Sequence, residues 1–135
     1  MGWRKGQISA ELIVTMSAMI FLLMAIFLVN DTLEGTWAAQ KETLEASTAT
    51  NQVALAINRA VAGGDGTQIT FNNYVGGRIA NITVSPPRAV RAVTVNGLSA
   101  STPIITNNTN IPGAIPINRD VVVRNTAGAI SIEAG

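Results

Sequence analysis

Any chemistry in this chain has to be built without histidine and without cysteine. That removes the commonest general base, the commonest metal ligand and the thiolate nucleophile. The acids beyond residue 62 are only Asp65, Asp120 and Glu133, and no spacing draws them together. Asp65 stands alone in a glycine turn, which makes it a poor calcium ligand. No phosphate-binding loop or metal-ligand spacing occurs. The reading is therefore of a non-enzyme with no cofactor and no metal. Arg78, Arg88, Arg91, Arg119 and Arg124 could meet phosphates, but Phe71 and Tyr74 are the only aromatics near them. Without a stacking platform, these arginines read as a solvated surface or as contacts between subunits, with no nucleic-acid partner. Two covalent events remain open to such a chain, backbone cleavage and asparagine modification.

Cleavage is favoured by the stretch 4–29, RKGQISAELIVTMSAMIFLLMAIFLV. Arg4 and Lys5 precede an uncharged, proline-free run from Leu12 to Val29. At 1.5 Å per residue that run covers about 27 Å, the thickness of a bilayer core. The next basic residue is Lys41, so the positive-inside rule puts the N-terminus in the cytoplasm and the C-terminal part outside. An ordinary secretory signal would carry an A-x-A-like site after the apolar run, where this chain has Asn30-Asp31-Thr32. The well-placed small residue is Gly6, on the cytoplasmic side. Cleavage there leaves the apolar helix on the mature protein.

Gly6 followed by Gln7-Ile8-Ser9-Ala10-Glu11-Leu12 resembles the class III signal peptide of archaeal type IV pilins, with its Gln-x-Ser-x-Glu pattern. The match covers about 25 residues, and the rest of the chain is similar only in architecture. The resemblance implies cleavage between Gly6 and Gln7 by a prepilin-peptidase-like membrane aspartic protease. It implies further partners, an assembly ATPase and a polytopic membrane platform protein, and a homopolymeric filament. It gives Glu11, the fifth mature residue, a part in aligning subunits. Physically, a carboxylate at the head of an apolar helix is costly to bury alone. The helix dipole favours it there, and a neighbour's new α-amine can approach it. Archaellins are relatives but usually carry glycines where this chain has Ser9-Ala10-Glu11, so they rank below pilins.

Beyond Val29 the helical pattern continues. Leu33, Trp37, Leu44, Leu55, Ile57 and Val61 recur at helical spacing among alanines, with one glycine, Gly35, before residue 63. Glu42 and Glu45 flank Lys41 and read as a solvated face. A helix over residues 7–62 would run near 84 Å, too long for one small domain without neighbours along it. Gly63-Gly64-Asp65-Gly66 stops it. Residues 63–135 then read as a small antiparallel β domain of five or six strands. Strand 78–85 places Ala80, Ile82 and Val84 on one face. Asn96-Gly97 reads as a type I′ turn setting Val95 opposite Leu98 and Val93 opposite Ala100. Pro103 marks a strand that lies at an edge or soon leaves the sheet, and residues 107–118 read as loop. A final hairpin around Ala127-Gly128 sets Val123 opposite Ile132 and Val121 opposite Ala134 on the buried face, with Arg124 and Glu133 diagonal on the outer one.

The fold expected is thus α+β: a cleaved segment 1–6, a long helix over 7–62 that spans the membrane before assembly, and a β domain over 63–135. Low charge with abundant Asn, Thr, Ala and Val suits an extracellular surface. Sequons occur at Asn30, Asn81 and Asn107. On an exterior domain Asn107 is the first candidate for N-glycosylation and Asn81 the second, whereas Asn30 would be buried in a filament. Loss of residues 1–6 leaves seven basic against eight acidic side chains, a near-neutral surface suited to lateral association. The expected function is a structural pilin of a cell-surface filament, for adhesion or attachment. The alternatives are a monomeric membrane-anchored surface binding protein and an archaellin-like motility subunit.

Overall fold

No proline occurs before Pro86, so nothing in the first 63 residues blocks helical hydrogen bonding. A single helix, α1, runs Trp3–Gly63. The computed structural model describes residues 3–85, 89–106, 108–110 and 114–135. The chain divides into two units, Met1–Ala38 and Ala39–Gly135.

The described residues of the first unit are helix alone. By length and composition α1 qualifies to cross a membrane. Its threonines hide their hydroxyls: Thr15 donates to the Glu11 carbonyl (2.8 Å) and Thr32 to that of Leu28 (2.9 Å). Such back-bonding satisfies the hydroxyl inside the helix that carries it.

In the second unit, the C-terminal part of α1 supplies much of the core. Ala46, Ala49, Val53, Ile57 and Ala60 are buried. They recur at i+3 and i+4, the spacing of one helical face. Among the described residues seven strands lie around them: β1 (Gln68–Asn72), β2 (Ile79–Ser85), β3 (Ala89–Thr94), β4 (Ser99–Pro103), β5 (Thr109–Asn110), β6 (Asp120–Thr126) and β7 (Ala129–Ala134). They form two sheets, β1-β6-β7-β5 and β2-β3-β4. Ile82, Val90, Val121, Val123, Ile130 and Ile132 join the helix residues in one buried cluster. The architecture is α+β.

The last hairpin has the expected register, Val123 opposite Ile132 and Val121 opposite Ala134. Ala127 (φ 53°) and Gly128 (φ 82°) are both left-handed, as a type I′ turn requires. Arg124 and Glu133 are both exposed, and no ion pair joins them.

Three expectations need correction. First, β3 and β4 pair one residue out of the expected register: Val93 faces Ser99 and Ala92 faces Ala100. Only Gly97 in that turn is left-handed, at φ 82°. The Thr94 N–H donates to the Leu98 carbonyl (2.8 Å), so the loop is Val95-Asn96-Gly97, a three-residue connection with glycine in the left-handed position. The one-residue slip changes which side chains stand opposite one another. Second, β2 carries a bulge between Ile79 and Asn81. The extra residue reverses the alternation, burying Ile79 (4% exposed) and turning Ala80 out. Third, the 107–118 loop contains β5, which pairs parallel to β7 with Thr109 opposite Ile130. The β region is therefore not wholly antiparallel and, among the described residues, has seven strands. Pro103 ends β4, an edge strand as expected.

Candidate functional site

Gly6 and Gln7 lie within α1; their side chains are outside the described residues. Glu11 is exposed on the helix. Beyond it, every large apolar side chain from Leu12 to Val29 is open, from 49% at Ile26 to 77% at Phe21. Trp37 is 68% exposed. From Ser9 to Ala38 every residue of this helix is exposed.

The second candidate region is the start of the folded unit, where the sequence suggested a solvated acidic face. Glu42 is in fact 6% exposed. Its Oε1 accepts from Asn96 Nδ2 in the β3–β4 turn (2.7 Å). Arg78 Nη1 stands 4.0 Å from the same oxygen. Oε2 is buried without a partner. The physical reason lies in spacing: Glu42 precedes Ala46 by four residues and so continues the buried stripe. Sequence reasoning missed this Glu42–Asn96–Arg78 cluster, although that stripe was the signal for it. The second acid, Glu45, is half-buried. Its Oε2 lies against Gly76, is buried and has no partner. It helps line a groove of about 280 Å³ with Leu44, Thr48, Gln52, Tyr74 and Gly76.

Asp65 has a structural role. Its Oδ1 accepts from the Ala127 N–H (2.6 Å), holding the left-handed residue of the β6–β7 turn. Asp65→Ala should lower the stability of this unit by about 1 kcal/mol. The thermal unfolding midpoint of the full chain in detergent, followed by the β signal in circular dichroism, measures it. Asn125 completes the corner, with Nδ2 donating to the Ala60 carbonyl (3.1 Å) and Oδ1 accepting from Gly128 N–H (3.1 Å).

Asn81 is exposed on β2 beside the bulge. The central residue of its sequon, Ile82, is fully buried. Asn107 lies outside the described residues. Asn30 is exposed on α1. Among the described residues no group of three or more acids or other metal ligands converges. Among the described arginines, Arg78 faces Glu42, while Arg91 Nη2 donates to Ser99 Oγ (3.3 Å).

No family model, characterised protein or solved structure matches this chain.

Proposed function

We propose that the chain is a structural subunit, a pilin, of an archaeal type IV pilus-like extracellular filament used for adhesion or attachment. The observation that carries this reading is the uncovered apolar helix, with side chains 49–77% exposed over Leu12 to Val29, on a chain whose folded unit begins at Ala39. Each such side chain costs about 1.5–3 kcal/mol when left in water rather than buried. The helix therefore needs lipid or other helices, and the Gly6–Gln7 motif favours each in turn.

The precursor is held in the cytoplasmic membrane by its apolar helix, with Arg4 and Lys5 inside. A prepilin-peptidase-like protease cuts after Gly6. An assembly ATPase and a platform protein move subunits out of the bilayer. The apolar helices then exchange lipid for one another, and the β-sheets face solvent. Small residues Thr15, Ser17, Ala18 and Ala25 permit close helix contact. Glu11 meets the new α-amine of a neighbour and fixes axial position. Asn81 and Asn107 are the glycosylation sites of this exterior unit.

Electron microscopy of sheared surface material, with mass spectrometry of the filaments, tests the proposal. Filaments built of this chain support it; the chain recovered only as a membrane monomer contradicts it. Glu11→Ala should cut filament yield by tenfold or more while leaving the membrane pool processed. Normal yield would remove Glu11 from the assembly mechanism.

A further inference from the structure

The outer side of the helix in the folded unit carries a second uncovered surface. Lys41, Leu44, Glu45, Leu55 and Arg59 fall within about a third of the helix circumference at 3.6 residues per turn. Leu44 is 67% exposed and Leu55 50%. Tyr74, 66% exposed, stands beside Leu44 at the groove. The charges on this stripe are unpaired: neither Glu45 nor Arg59 has a hydrogen bond or an ion pair among the described residues. One Glu45 oxygen is already stripped of water, so a cation beside this carboxylate meets less competition from solvent than at an open surface.

We propose that this stripe docks against the same stripe of a second copy, in parallel and displaced along the axis. This rests on the filament reading and adds the partner surface and its stagger. The charges decide the arrangement. Parallel copies in register would set Glu45 against Glu45 and Arg59 against Arg59. A displacement of 14 residues, about 21 Å at 1.5 Å per residue, sets Arg59 of one copy in the groove beside Glu45 of the next. Leu55 then lies over Lys41 of the neighbour, its methyls against the lysine stem. An antiparallel pair would also match the charges. Copies that insert into one membrane with the same orientation cannot form it.

The test uses the full chain assembled into filaments. Glu45→Arg and Arg59→Glu should each lower filament yield about tenfold, and the double variant should recover most of it. Because the chain lacks cysteine, introduced thiols report neighbours cleanly. The variant carrying Lys41→Cys and Leu55→Cys should give a disulfide-linked dimer on oxidation. Gln52→Cys, central to an antiparallel pair, should give no dimer. Wild-type yield from both single charge variants, or dimers from Gln52→Cys with none from the variant carrying Lys41→Cys and Leu55→Cys, overturns this surface while filaments persist. Absence of filaments from the wild type overturns the reading beneath it.

Discussion

Gly6→Leu should leave the chain unprocessed in the membrane, with residues 1–6 attached and no filament formed. A peptidase that cuts after glycine needs close approach to the backbone, and a branched side chain blocks it. The retained segment would also keep Arg4 and Lys5 next to the apolar run. Those two charges hold the helix in the bilayer, because moving each into an apolar filament core costs several kcal/mol. The α-amine that Glu11 is proposed to meet would never be made. Intact-mass measurement of the membrane fraction reads the outcome as a precursor heavier than the mature chain. Unimpaired filaments from Gly6→Leu would exclude this cleavage site.

The second large effect is in the folded unit. Ile57 is fully buried on the face of α1 that meets the strands. Truncation to alanine removes three carbons and leaves a cavity, at a cost of about 2–5 kcal/mol. A unit of this size has a total stability near 5–10 kcal/mol, so Ile57→Ala should lose a large share of it. Because the residue lies on the helix, strand structure lost by circular dichroism would register a helix mutation in the sheets. Leu55→Ala, two residues away but half exposed, should move the unfolding midpoint little in the unassembled chain. Equal effects from the two variants would mean that the helix is a stalk rather than part of the core.

These two residues illustrate what the sequence could convey. The recurrence of Leu33, Trp37, Leu44, Leu55, Ile57 and Val61 and the glycine stop convey the helix, but its buried face is the mostly alanine stripe 46-49-53-57-60, which shares only Ile57 with that set. The β6–β7 hairpin was legible because a valine run, Val121 to Val123, and an alternating Ile130-Ser131-Ile132-Glu133 segment flank the turn pair Ala127-Gly128. The β3–β4 hairpin was not, because Val95 extends the apolar alternation into what is a loop residue. Only the backbone of Asn96 separates the two turns: a type I′ turn needs it left-handed, and here Gly97 alone is. The bulge in β2 was hidden for a related reason: Ile79 and Ile82 sit three apart, and strict alternation can bury only one of them. The β5–β7 pair is parallel and two residues long, too short to leave a periodicity.

At the candidate sites the balance differs. Gly6, Gln7 and Glu11 stand out through the order of residue types along the chain, and a single copy adds only exposure to that. Glu42 was misplaced because charge was weighed before helical phase. Its carboxylate lies on the buried stripe, and Asn96 reaches it across 54 positions of sequence. Glu45 could not have been found by spacing alone, since its groove depends on the loop bearing Tyr74 and Gly76.

The most direct measurement of the central claim is the N-terminal residue of the wild-type protein recovered from shed surface material. The account predicts a chain beginning at Gln7, present in filaments. A chain that begins at Met1 and remains in the detergent-solubilised membrane fraction would contradict it.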